Sequence, residues 1–195
     1  MELTPLGIEG AWLAESPAWN DDRGYFREWF KREEVLSKTG IDFSVQQANV
    51  SQSRRGVIRG IHYSLAAEGQ SKWVTCVTGA ILEVIVDIRP NSPTYKQKEL
   101  IQIDSTSQKS LLVGSGLGHG FVSLSENSTV SYLLSSEYNP MYEHGVNFFD
   151  QELNINVNDF LFDMKPILSE KDSFAPNLMD LEKQNLLPMY NQSRF

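Results

Sequence analysis

Between Phe43 and Tyr138 the chain is built from short β-branched and aromatic runs separated by turn residues, and this punctuation constrains the fold more than any other feature. The runs are Phe43 to Val50, Gly56 to Tyr63, Lys72 to Thr78, Ala80 to Ile88, Lys98 to Ile103, Ser110 to Val113, His119 to Leu124 and Thr129 to Tyr138. Many short strands with few helical periods between them predict an all-β sandwich or barrel. In the run from Ile81 to Ile88, Leu82, Val84, Val86 and Ile88 share one face. Glu83 and Asp87 fall on the other, beside Ile81 and Ile85, so one face reads as core and the other as the wall of a lumen. Helices are few: Lys31 to Lys38, stopped by Gly40, and Asn177 to Gln184, with Asn177 as a candidate cap. Asp150 to Pro166 has no clear period and is expected to wrap the barrel as an extended strap, and Leu186 to Phe195 to form a mobile or interacting tail.

No repeat, low-complexity tract or linker divides the sequence, so residues 1–195 read as one domain with its core over about 21–150 and a wrapping segment with a tail over 151–195. The 195 residues carry a formal net charge of -8, which argues against nonspecific nucleic-acid binding; any anionic ligand must meet a local cationic cluster. One cysteine, Cys76, excludes an internal disulfide and reads as a buried thiol. The start, Met1 to Pro5, lacks the pattern of a leader, and Glu83 and Asp87 interrupt the most apolar segment. The expectation is a soluble cytoplasmic protein with no membrane partner.

Three places hold residues able to do chemistry. Gly56 to Tyr63 is an apolar run carrying Arg59 and His62; their spacing puts them on opposite faces unless a bulge at Gly60 turns the strand. His62 alone reads equally as a core histidine, whereas Arg59 in an apolar strand calls for an anion. Gly114 to Phe121 is a glycine-rich turn delivering His119; it lacks the Lys-Ser/Thr ending of a phosphate loop. Thr129 to Tyr138 places Tyr132 and Tyr138 on one parity, which by itself suggests packing. Leu168 to Asp172, taken alone, is a solvated loop. One rival reading makes His62, Glu68 and His119 a two-histidine, one-carboxylate metal site. Metal cupins usually space two histidines by one residue, and here Ser64 stands in the second place. A second rival is a sugar-nucleotide binding module that moves no proton.

Asp22 to Glu28, Gln47 to Ser51, Gly56 to Tyr63, Lys72 with the strands after it, Asp87-Ile88-Arg89 with Ser92-Pro93-Thr94, Gly118 to Phe121, and Tyr138-Asn139-Pro140 with Glu143 occur in the order and spacing of a known family. From about Asp21 to Asp172 the chain resembles the RmlC-like sugar-nucleotide epimerases, the family of dTDP-4-dehydrorhamnose 3,5-epimerase. The resemblance implies a cupin-like jelly roll, without metal or other cofactor, acting as a homodimer with a swapped N-terminal strand. It implies a dTDP-4-keto-6-deoxyhexose substrate, with dTDP-4-dehydro-6-deoxy-D-glucose epimerised at C3 and C5 and single-centre epimerisation as the alternative. By the same resemblance His62 is the base, Asp172 its carboxylate partner, Tyr132 the acid and Lys72 the group that stabilises the enolate oxygen. Arg23, Arg59 and Lys171 correspond to diphosphate and nucleotide contacts, and Glu28, Gln47 and Asn49 to the rim around the base. His119 and Glu143 fall in the sugar pocket, and Tyr138 stacks on the base or closes over the sugar. Ser64 in place of glutamine, Gly114 in place of proline and Ala48 in place of aspartate mark a branch away from the best-known rhamnose enzymes.

Overall fold

In the computed structural model, which describes residues 1–161 and 164–190, the alternating runs become two facing antiparallel sheets. The first holds, in spatial order, β1 (Glu2–Pro5), β2 (Ala11–Glu15), β10 (Lys109–Val113), β7 (Lys72–Thr78), β12 (Ser128–Leu134) and β5 (Gln47–Ser53). The second holds β13 (Glu143–Gly145), β6 (Ile58–Ser64), β11 (Leu117–Ser123), β8 (Ala80–Asp87) and β9 (Lys98–Asp104). This is the expected all-β jelly-roll arrangement, with short helices outside the sheets. The β12 strand ends at Leu134, short of the run that continues to Tyr138.

Strand alternation sorts the side chains into three apolar layers. Ile81 and Ile85 of β8 point between the sheets and meet Val74, Leu111 and Val130. Leu82, Val84, Val86 and Ile88 point outward from the second sheet, where Phe148, Leu153, Ile155, Leu161, Leu178 and Leu181 cover them. That covering segment is the strap, and it explains why β8 is buried on both faces. The outer face of the first sheet packs Trp73 and Leu112 against Val35 and Phe43.

Helix α1 (Arg32–Thr39) has Glu33 and Glu34 in its first turn and Lys38 in its last, matching the helix dipole. It stops at Gly40, whose φ of 76° lets its N–H reach the Leu36 carbonyl. Helix α4 (Leu178–Lys183) follows Asn177, but the Asn177 side chain does not cap it. Asp150 does so from the strap, accepting from the Leu178 N–H at 2.7 Å. Two expectations are corrected here. The strap is not extended throughout, because Asn158–Leu161 forms a helical turn, α2, that buries Leu161. The tail is docked as far as Tyr190: Leu187 is buried, Tyr63 donates to the Leu186 carbonyl, and Tyr190 donates to Glu9 at 2.6 Å. The remainder of that expected tail, residues 191–195, lies outside the described residues.

A separate hairpin, β3 (Ala18–Asp21) with β4 (Gly24–Arg27), belongs to neither sheet. Trp19, Tyr25 and Phe26 are exposed on it, and Arg27 ties it back by donating to Ser110 at 2.9 Å. Cys76 is buried, and burial pushes its thiol up to about 11. Among the described residues no helix is long and apolar enough to cross a membrane.

Candidate active site

Regular alternation would send Arg59 and His62, three positions apart, to opposite faces of β6. The pairing with β11 slips between them: His62 lies opposite His119, and Arg59 opposite Phe121. Gly60 and Ile61 therefore share Gly120 as their counterpart, and the bulge, the one condition under which the two faces could merge, turns both polar side chains toward one cavity. Only glycine serves there. Gly60 has φ of 108°, and a Cβ on it would lie 2.6 Å from Gly120 Cα and the His119 carbonyl oxygen.

The cavity, about 450 Å3, lies between the sheets. Arg59, His62 and His119 come to it from the second sheet, and Asn49, Lys72 and Tyr132 from the first. Tyr138, Glu143, Lys171 and Asp172 complete the lining. Three expected residues stand apart from it. Gln47 lies just behind, donating to Asn49 Oδ1 at 2.9 Å and accepting from the Tyr138 N–H at 2.8 Å. Arg23, at the tip of the β3–β4 hairpin, is ion-paired to Asp21, and Glu28 to Lys31 at 2.7 Å. The metal reading loses its carboxylate, because Glu68 is exposed on the turn after β6. Among the described residues no group of three His, Cys, Asp or Glu side chains is placed to hold a metal.

His62 Nε2 meets Asp172 Oδ1 at 2.6 Å. Asp172 is delivered by a one-turn helix, α3 (Glu170–Ser173), whose cap Ser169 accepts from the Asp172 N–H at 3.1 Å. A parallel bridge between Val57 and Ile167 fastens the approach to this turn beside β6. Burial pushes the Asp172 carboxyl up, but His62, Ser169 and the Gly60 backbone together outweigh it and hold the group below the usual carboxylate range. Asp172 is thus an anion that fixes the imidazole; Ser169, Glu170 and Lys171 are exposed as the surface-loop reading has them, and Asp172 alone of the stretch is buried.

Lys72 lies in the same cavity and donates from Nζ to the His62 carbonyl at 3.2 Å. Burial pushes its ammonium down to about 8, with Glu143 and Glu83 pulling the other way. Glu83 is fully buried and contacts His119 Nε2 at 2.6 Å through Oε2. Its placement follows from the β8 alternation, which already turned it toward the lumen. The sequence reading passed over Gln70, Ser169 and His144. Gln70 lines the cavity and donates to Glu143 Oε1 at 3.1 Å; its signal was a position two before Lys72, on the same strand parity. His144 stacks on Tyr63 at a centroid distance of 5.6 Å, a contact between strands that local pattern does not announce.

A cavity offering a carboxylate-held imidazole, a phenol from the facing sheet and a buried ammonium is equipped to take a proton from a carbon acid and return one. Comparison with known proteins points the same way. The family model for dTDP-4-dehydrorhamnose 3,5-epimerase matches residues 5–180. A dTDP-4-dehydrorhamnose 3,5-epimerase of Streptomyces griseus is 43% identical over 190 residues, 97% of this chain and 93% of that protein. A dTDP-4-dehydro-6-deoxyglucose 3-epimerase of Streptomyces bikiniensis is 44% identical over 188 residues, 96% of this chain and 94% of that one. Among solved structures, the RmlC epimerase of Mycobacterium tuberculosis aligns with a TM-score of 0.95 at 36% identity, covering 100% of this chain and 96% of that one. ChmJ, a 3'-monoepimerase from Streptomyces bikiniensis in complex with dTDP-quinovose, gives 0.90 at 43% identity, covering 95% and 92%. The two-sheet fold and a likeness running almost end to end make this chain an isomerase, a member of the dTDP-4-dehydrorhamnose 3,5-epimerase family.

Proposed function

We propose that the protein epimerises dTDP-4-dehydro-6-deoxy-D-glucose at C3 and C5, giving dTDP-4-dehydro-L-rhamnose. The observation that carries this reading is the placement of His62, backed by Asp172, and Tyr132 on facing sheets around one cavity. Inversion needs a base on one side of the sugar and an acid on the other. The C4 ketone acidifies the protons on both neighbouring carbons. His62 removes one, the electron pair moves onto the ketone oxygen as an enolate, and Tyr132 returns a proton to the opposite face. Lys72 is the cation for the developing oxyanion, and its partial desolvation strengthens that interaction. No step in this sequence calls for a metal or an organic cofactor.

Arg59 and Lys171 take the diphosphate, His119 and Glu143 the sugar, and Asn49 with Gln47 and Tyr138 the nucleobase. Arg23 and Glu28 do not reach the cavity of their own chain, and their hairpin leaves Trp19, Tyr25 and Phe26 exposed. They fit a homodimer in which the N-terminal segment of each copy completes the site of the other. Sedimentation equilibrium at micromolar concentration is expected to return twice the chain mass; a monomer would remove Arg23 and Glu28 from the site.

Incubation with dTDP-4-keto-6-deoxyglucose in deuterated water is expected to place deuterium at both C3 and C5, read by NMR. Exchange at C3 alone would assign inversion of that centre only, the reaction named for the Streptomyces bikiniensis relative. Exchange at neither carbon would overturn the epimerase reading.

A further inference from the structure

Glu143 reaches the cavity from β13, a three-residue edge strand whose only partner among the described residues is β6. A carboxylate on so short an edge is held in place by what its oxygens bond. Gln70 supplies that bond: its Nε2 donates to Glu143 Oε1 at 3.1 Å, and the Gln70 residue is itself only 6% exposed. Gln70 precedes β7 and lies on the parity of Lys72, so the amide, the carboxylate and the ammonium line one cavity.

We propose that Gln70 is a positioning residue of this site, holding the Glu143 carboxylate so that one oxygen faces the Lys72 ammonium and the other accepts from a hydroxyl of the bound hexose. The inference deepens the epimerase reading and rests on it. Gln70 acts through Glu143: it donates one hydrogen bond, moves no proton and carries no charge. Its choice over a lysine or arginine has a chemical reason. A cation at position 70 would satisfy Glu143 but cancel the negative charge that helps keep Lys72 protonated, whereas a neutral amide fixes the carboxylate and leaves its charge intact.

The charges around Lys72 come from several elements. Glu143 stands on β13 and Glu83 on β8, with His119 of β11 bonded to Glu83. The His62 carbonyl of β6 accepts from Lys72, and Tyr132 of β12 shares the cavity. Letting Glu143 swing away removes one of the two carboxylates that favour the ammonium. The alkaline limb of kcat against pH then moves to lower pH.

The test compares wild type with Gln70→Leu, which keeps the approximate volume and removes the donor, with Glu143→Gln, and with the double variant. Gln70→Leu is expected to raise KM about fivefold to tenfold, the effect of one lost hydrogen bond, and to shift the alkaline limb of kcat acidward. The double variant is expected to be no worse than Glu143→Gln, because a residue that acts through the Glu143 carboxylate has nothing left to position once that carboxylate is gone. Affinity for dTDP, which lacks the hexose, is expected to be unchanged in every variant and serves as the check that the fold is intact. An active wild type with a Gln70→Leu variant matching it in KM and pH profile would overturn the inference, and so would additive losses in the double variant. Loss of dTDP affinity in Gln70→Leu would also overturn it, by making the residue structural. A wild type without exchange or turnover would instead remove the epimerase reading beneath it.

Discussion

Replacing His62 by alanine is expected to lower kcat by about a thousandfold, inside the range that general-base catalysis commonly supplies. The expectation follows from the position of the imidazole. Its carboxylate partner Asp172 is held in the anionic form and is tied into its own helical cap. His119 makes the same kind of pair with Glu83, but its side chain is 10% exposed against 36% for His62, which leaves less of its ring open to a bound sugar. The alanine variant keeps Arg59, Asn49 and Lys171, so its affinity for dTDP stays near that of wild type. The loss therefore appears in kcat and in deuterium uptake at both carbons. Near-normal turnover in this variant would displace His62 from the role of base.

Tyr132→Phe is expected to give the second-largest effect, with a different signature. Its phenol comes from β12 on the sheet facing His62. Without the hydroxyl, His62 still removes a proton and Lys72 still steadies the enolate, but no acid waits on the opposite face. The proton returns from His62 to the side it left. Product formation is expected to fall about a hundredfold, while solvent deuterium continues to enter unreacted substrate with retention of configuration. NMR of recovered substrate and product separates the two processes. If exchange and inversion fell together by the same factor, Tyr132 would act before or during proton removal and would not be the acid.

Much of this arrangement was legible in the sequence because strand formation leaves a local mark. The runs from Lys72 to Thr78 and Ala80 to Ile88 became β7 and β8 almost residue for residue, and alternation assigned the two faces of β8, including the inward turn of Glu83. Gly60 marked the place where a bulge could turn the strand, but the sequence left open whether Arg59 and His62 share a cavity; the register slip against β11 decides it. The strands β1 to β4 were harder to see: they have 4 or 5 residues each, β1 is an edge strand, and β3 and β4 stand outside the two sheets, where polar residues blur the period. Asp172 gave no local sign of burial. It stands in a polar stretch, and only docking of the strap against β6 brings it to His62. Gln70 and Glu143 are likewise joined across 73 positions, a separation at which periodicity says nothing.

The strap has a consequence for how activity relates to assembly. His62 and Asp172 are 110 positions apart, and the chain that leads to Asp172 from Val146 onward lies over the outer face of the second sheet. A chain with both sheets formed but the strap undocked would hold His62, Tyr132 and Lys72, the proposed base, acid and cation, without the carboxylate that fixes the imidazole. On the proposed function, the base is therefore oriented only once the strap is docked, and docking of the strap and competence for proton transfer arrive together.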